Sequence, residues 1–300
     1  MTRRSRLLWS LTAAVAACGA LLALAARTQQ PPAIAAEPCS PAPGDRMLGT
    51  ALLHVPKHAK APLALVLAFH GAGGDGPGMA GYSGLSQTAD RYGFAVLYPT
   101  AGSARHFWSL NASMKPDDVA SIKALLPQAM TAACADPARI YATGVSNGGG
   151  FAARLGCELA GTIAAVAPVA GGYRALDDCP DGRRTSVLEI HGTSDHVVPY
   201  GGKPPDYKGA VSGFLAGWVR RDGCDATATH TRPEKGVVRF THAGCAPGLA
   251  VEHLRLTGTD HGWPGASPPF PRHNPSQLEA NEEVWRFFAK HRLVPGGGAG

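Results

Sequence analysis

Short apolar runs alternate with stretches of helical spacing along most of the chain. Residues 63–69, Leu-Ala-Leu-Val-Leu-Ala-Phe, are apolar throughout. Such a run marks a strand covered on both faces. Residues 94–99, 140–143, 163–169 and 186–190 have the same character, as do 237–241 and 251–256, while 47–55 reads as a first strand. Helical spacing covers 83–92, 117–133, 151–155, 211–221 and 278–291. Strands that alternate with helices predict an α/β fold, a mostly parallel doubly wound sheet with helices on both faces. No repeat or long linker interrupts the order, so one domain is expected over residues 47–292. It is preceded by an irregular Pro-rich segment, 36–46, and followed by a flexible tail, 293–300.

The first residues break this pattern. Arg3, Arg4 and Arg6 precede an apolar run to Ala26, and small residues follow at Ala33 and Ala35. This is the layout of an export signal over residues 1–35. Cleavage fits after Ala25 or after Ala35, and Val15-Ala16-Ala17-Cys18 is an alternative lipoprotein-type box. A secreted or periplasmic location is expected, with a membrane partner only if Cys18 is lipidated or the leader stays uncleaved. Removing residues 1–35 takes four arginines and no acids, so the formal charge falls from +6 to +2. The basic balance therefore belongs largely to the leader, and no nucleic-acid partner is expected from it. Six cysteines remain after Cys18. In an exported chain they suggest up to three disulfides, with 15 full pairings open and buried free thiols the alternative. Cys224 and Cys245 bracket one predicted strand and are expected to pair. Cys157 with Cys179, and Cys39 with Cys134, are the pairs that would remain.

Candidate chemistry centres on Gly144-Val145-Ser146-Asn147-Gly148, a G-x-S-x-G between a strand and a helix. That context is the one a nucleophile elbow needs. A serine nucleophile requires a base, and the base an acid that fixes its tautomer. Asp195 follows the strand 186–190 and His261 follows the strand 251–256, beyond the carboxyl ends where α/β sites lie. The order Ser146, Asp195, His261 is that of the elbow fold. Asp260 is expected to be structural, His191 a buried packing histidine, His253 a strand residue, and His273 and His291 solvated. No metal-ligand spacing joins His191, Asp195 and His196, and no cofactor or metal is expected.

The loop Gly71-Ala72-Gly73-Gly74-Asp75-Gly76 formally matches G-x-G-x-x-G and raises a dinucleotide site as an alternative. Three readings count against it: the loop runs on through Pro77-Gly78 instead of opening a helix, it lies outside the first βαβ unit, and the next strand ends Tyr98-Pro99-Thr100 without an acid. The other role is an oxyanion loop, with amides from Ala72 (Gly71 less so) and Asn147 and with His70 as a brace. Trp108 and Trp263 are candidate aromatic walls of an acyl pocket, and Trp108 as a core residue is the alternative.

Taken together, Phe69-His70-Gly71, Gly84-Leu85-Ser86, Gly93-Phe94, Tyr98-Pro99 and Asp117-Asp118-Val119 carry a resemblance, completed by the elbow, Val166-Ala167-Pro168, the Asp195 loop, Asp222-Gly223-Cys224 and His261-Gly262-Trp263-Pro264. The chain resembles the secreted α/β-hydrolases grouped as polyhydroxybutyrate depolymerases and feruloyl or acetylxylan esterases, from about Leu48 to Phe288. The resemblance implies Ser146 as nucleophile, Asp195 as orienting acid and His261 as base, acting on carboxylic esters, with a peptidase of the same fold as alternative. Two stretches depart from the pattern: Gly149-Gly150, where bulkier residues are common, and residues 103–115. Because the chain stops soon after its last helix, soluble esters and short oligomers are expected to be better substrates than insoluble polymer.

Overall fold

In the computed structural model the chain is described over residues 39–173, 179, 184–202, 211–266 and 273–293. The leader 1–35, its Cys18 box, residues 36–38 and the tail 294–300 lie outside the described residues. Among the described residues the strands are β1 (Gly44–Leu48), β2 (Ala51–Val55), β3 (Leu63–Phe69), β4 (Ala95–Tyr98), β5 (Ala135–Val145), β6 (Ala165–Val169), β7 (Ser186–Gly192), β8 (Ala228–Thr231), β9 (Val237–His242) and β10 (Val251–Leu256). They form one sheet in the order β1-β2-β4-β3-β5-β6-β7-β10-β9-β8. From β4 to β10 the neighbours are parallel, while the β1–β2, β2–β4, β10–β9 and β9–β8 pairs are antiparallel.

The helices are α1 (Gly76–Ser83), α2 (Leu85–Tyr92), α3 (Asp118–Ala133), α4 (Asn147–Glu158), α5 (Val211–Asp222) and α6 (Ala280–Phe288). Side chains alternate across a strand, and β3 shows the consequence. Leu65, Leu67 and Phe69 join Ile122, Phe151, Leu155 and Trp218 from α3, α4 and α5 on one face. Ala64, Val66 and Ala68 join Met79, Leu85 and Phe287 from α1, α2 and α6 on the other. The doubly wound arrangement follows from an all-apolar strand having two faces to cover.

Several expected elements change. Residues 47–55 are not one strand, because Gly49 takes φ 60° and turns the chain into a β1–β2 hairpin. β1 thus begins inside the segment expected to be irregular. Helix α1 was not expected: Asp75 caps it by accepting from Gly78 N at 2.7 Å, and Pro77 occupies its first turn, where a missing N–H costs nothing. β8 was also missed, since its residues are mostly exposed and lack an apolar signal.

The cysteines pair as Cys39–Cys134, Cys157–Cys179 and Cys224–Cys245. Loops of 21 and 22 residues contribute about 3 kcal/mol each in the chain-entropy model. Three such bonds fit an oxidising compartment.

Candidate active site

Strand β5 delivers Ser146 to the carboxyl edge of the sheet, and α4 leaves at once. Ser146 sits at φ 59°, ψ −123°, a region that side-chain-bearing residues seldom occupy. Its surroundings hold it there: Ser146 N donates to Val169 O at 2.9 Å, and Gly150 N and Gly172 N donate to its carbonyl at 3.0 and 3.1 Å. The glycines after it answer to close backbone approach. A Cβ on Gly148 would stand 2.3 Å from His70 O, and one on Gly150 2.2 Å from Gly172 O. The Gly149-Gly150 departure is therefore steric: the first turn of α4 lies directly on neighbouring main chain. That turn also leaves its leading N–H groups without intrahelical partners, the one on Asn147 included.

The glycine loop lies beside the serine, since a Cβ on Gly71 would be 3.6 Å from Ser146 Cβ. His70 is buried. Its Nε2 accepts from Ala101 N at 3.1 Å, so Nδ1 carries the proton and donates to Gly71 O at 2.7 Å. Burial pushes its pKa down, against the bond to Gly71. The residue is a brace, and both ring nitrogens are occupied, so it offers nothing to a substrate. The Ala72 amide has no hydrogen-bond partner among the described residues. Two arguments against a dinucleotide site do not hold, because the loop does open helix α1 and does lie in the first parallel βαβ unit, β3 to β4. The geometry supplies a different one: the Asp75 carboxylate caps the α1 N-terminus, where a phosphate would have to bind.

Residues 101–110 are pinned against this loop by buried polar groups. Asp118 accepts from Gly102 N at 3.0 Å and Ser109 N at 2.8 Å. Arg154 on α4 donates to Ser109 O and Oγ, both at 2.8 Å, and to Asp117 and Glu158. The side chain of Asn147 clamps Trp108, its Oδ1 accepting from Trp108 N at 2.7 Å and its Nδ2 donating to Trp108 O at 3.2 Å. Trp108 is 1% exposed. It stacks on Phe151 with centroids 4.8 Å apart, and its Nε1 donates to His70 O. It is a core residue, and the expected pocket wall is absent because the apolar ring is worth more between Phe69 and Phe151. Phe107 instead is 46% exposed, and Val197, two residues after Asp195, is 51% exposed.

Asp195 and His261 meet. His261 Nδ1 donates to Asp195 Oδ2 at 2.7 Å, while Asp195 Oδ1 accepts from Val197 N and Val198 N at 2.9 and 2.7 Å. Burial would raise the Asp195 pKa, but hydrogen bonds from His191 and His261 outweigh it and hold the carboxyl well below its usual range. Nδ1 is thereby fixed as the protonated nitrogen, leaving Nε2 for a proton-transfer partner. No hydrogen bond joins Ser146 Oγ to His261 Nε2 among the described residues; β5 and β10 lie three strands apart in one parallel run, so both residues follow carboxyl ends on the same edge of the sheet. Catalytic contacts are commonly long without substrate.

Asp260 N donates to His273 O, and no bond links its carboxylate to His261. His291 is not solvated: it is buried on Phe287 and bonds to Phe287 O, and burial lowers its pKa. His273 is exposed. Trp263 is 2% exposed and points at α6, where Nε1 donates to Asn281 Oδ1 at 3.0 Å; it is not the expected mouth residue. His191 is buried, but it contacts two carboxylates, Glu189 and Asp195, and is no mere packing group. Sequence alone missed the clamp by Asn147, the Asp118–Arg154 supports and Glu189. The Asp117-Asp118 motif was the one signal that could have found part of this set.

A family model described as "Esterase PHB depolymerase" matches residues 48–175. "Feruloyl esterase B" of Piromyces equi is 32% identical over 48% of this chain and 29% of its own length. "Putative esterase NocK" of Nocardia uniformis subsp. tsuyamanensis is 32% identical over 70% of this chain and 67% of its own length. The chain thus spans under a third of the first relative and two thirds of the second. Among solved structures, an acetyl xylan esterase from Aspergillus awamori superposes with a TM-score of 0.60 at 17% identity, covering 80% of this chain and 93% of that one. The fold is that of α/β-hydrolase esterases, and the chain belongs to the esterase PHB depolymerase family.

Proposed function

We propose that this protein is a serine esterase that hydrolyses carboxylic esters through an acyl-enzyme. The observation that carries the reading is the Asp195–His261 bond of 2.7 Å, on the same sheet edge as a serine held in a strained turn. His261 Nε2 takes the Ser146 proton as Oγ attacks the ester carbonyl. The carbonyl π pair moves to oxygen, and the amides of Ala72 and Asn147 stabilise that oxyanion. Collapse expels the alcohol, which receives the proton from His261. Water then repeats the sequence on the acyl-serine, and the acid leaves.

The substrate class is soluble esters of small or aryl acids, by analogy with the feruloyl and acetylxylan esterases it is similar to, and short hydroxyalkanoate oligomers. Apolar surface for the acyl group is supplied by Phe107 and Val197 in place of the two tryptophans. Residues 1–35 act as an export leader ahead of a catalytic domain over 47–292, and the three disulfides favour an oxidising destination. The test is a panel of p-nitrophenyl acyl esters, methyl ferulate, hydroxybutyrate oligomers and polymer film, run with wild type and Ser146→Ala. Ester turnover lost by orders of magnitude in a folded Ser146→Ala protein is expected. Substantial turnover by that variant would sink the reading, and faster attack on film than on matched soluble esters would overturn the substrate class.

A further inference from the structure

Behind Asp195 lies a second buried ionisable pair that ester hydrolysis does not by itself require. Glu189 and His191 sit on β7, 0% and 1% exposed. His191 Nδ1 lies 2.9 Å from Glu189 Oε1. His191 Nε2 lies 2.9 Å from Val198 O and 3.2 Å from Asp195 Oδ2. A carbonyl has no proton to give, so Nε2 carries N–H. The other donors around the two carboxylates favour their ionised forms. Tyr173 OH donates to Glu189 Oε1 at 2.7 Å, and two amides and His261 donate to Asp195. A neutral imidazole would set a bare Nδ1 lone pair against Glu189, inside the core. Both ring nitrogens are therefore donors.

We propose that His191 is a permanently protonated positioning residue, an imidazolium clamped between Glu189 and Asp195 that keeps Asp195 ionised, aimed at His261 and partly neutralised. The proposal rests on the reading of Asp195 and His261 as acid and base. The groups facing His191 are Glu189 on β7, Asp195 and Tyr200 from the following loop, and Tyr173 after β6; His253 on β10 faces Glu189 and accepts from or donates to Tyr200 at Nε2. Burial would lower the His191 pKa, but bonds to Asp195 and Glu189 raise it to about 10. Glu189 falls to about 2 despite burial, chiefly through its bond with His191.

The consequence is a tuned base. Asp195 alone would stabilise a proton on His261 by its full charge. The imidazolium on its other side offsets part of that charge, so His261 stays free to accept the Ser146 proton at lower pH. Removing the imidazolium makes the proton harder to lose. A charge within about 4–6 Å of a carboxylate moves titrations by about 1–3 units; transmitted through Asp195, the low end is expected.

The decisive measurements are a spectrum and a pH profile. In nitrogen-15 NMR of the wild type, His191, assigned by its loss in His191→Gln, should show two ring N–H signals unchanged from about pH 5 to about pH 9, as a raised pKa requires. A single N–H, or titration within that range, would overturn the proposal. In His191→Gln the acidic limb of kcat/KM should move up by about one pH unit, while the plateau falls less than about tenfold. That variant leaves Glu189 buried without its cation and can fail to fold, so the double variant Glu189→Gln/His191→Gln is made as well; it also deletes the Glu189 charge, which acts in the opposite sense, so a smaller shift in the same direction is expected. A folded double variant with an unmoved limb would show His191 to be packing only. Failure of the esterase reading would appear separately, as turnover that does not depend on Ser146, and leaves the spectrum unaffected.

Discussion

Replacing Asn147 with alanine separates two roles that one residue combines. Its main-chain N–H survives in alanine, so the proposed oxyanion donor remains. What goes is the side-chain clamp on Trp108, two bonds of 2.7 and 3.2 Å to the N–H and carbonyl of a residue 1% exposed. Each buried backbone group left without a partner costs about 1–3 kcal/mol. Asn147 is part-buried, so some water can reach the site, and the low end of that range applies, about 1–1.5 kcal/mol each or about 2–3 kcal/mol for the pair. Alanine returns about 0.6 kcal/mol of helix propensity at the start of α4. The net loss expected is about 2 kcal/mol, read as a fall in the urea midpoint at unchanged slope. Activity should fall as well, in kcat more than in KM, because Trp108 Nε1 bonds to His70 O and His106 O accepts from Gly73 N. Freeing residues 101–110 therefore loosens the loop that carries the Ala72 amide. A stability change under about 0.5 kcal/mol, within the scatter of surface substitutions, together with wild-type kcat would refute this account of the clamp.

Other outcomes follow from the same geometry. Phe107→Ala should raise KM for aryl esters several-fold while leaving acetate esters nearly unchanged, because it removes exposed ring surface worth about 0.5–1.5 kcal/mol in stacking; equal effects on both would exclude it from acyl or aryl contact. Gly150→Ala should yield no active folded protein, since its Cβ would lie 2.2 Å from Gly172 O; a soluble variant with ordinary kcat would contradict the packing. Stability should fade on both sides of neutrality for opposite reasons. His191, raised to about 10, contributes fully below its unfolded value of about 6.5 and loses that contribution as pH rises through about 10. Glu189, lowered to about 2, contributes above about 4.5 and loses it as pH falls through about 2. Asp222, raised to about 7 by burial, contributes fully below its unfolded value of about 3.9 and has lost that contribution once pH rises through about 7. A thermal midpoint that stays flat or climbs between pH 6.5 and 10 would contradict these assignments.

The parallel core was legible because a strand buried on both faces must be apolar throughout, and residues 63–69 have no other use. The elbow and the order Ser146, Asp195, His261 were legible for a related reason: a nucleophile on a strained turn needs small neighbours and partners at strand ends. The cysteine pairing expected for Cys224 and Cys245, and the two pairs then left, are those observed. Helix α1 was hidden because Gly76, Pro77 and Gly78 carry poor propensity, and only the Asp75 cap and tertiary contacts settle it. Trp108 and Trp263 were misjudged as pocket walls, since an aromatic near a catalytic motif in sequence says nothing of which way its ring points. His191 was undervalued because its partner Glu189 sits two residues away on the same strand, where a charged residue in an apolar run looks like an exception. Only burial and distance reveal that His191 lies between the carboxylates of Glu189 and Asp195.

The central claim is that Ser146 carries the acyl group. It is tested most directly by quenching the enzyme in acid during turnover of p-nitrophenyl acetate and mapping the acetyl group by peptide mass spectrometry. The account predicts one acetyl group, on the peptide containing Ser146, formed with a burst of nitrophenol and absent from Ser146→Ala. His261→Ala should cut its formation by orders of magnitude. An acetyl group on another residue that turns over at the catalytic rate, or steady hydrolysis with Ser146 never modified, would contradict it.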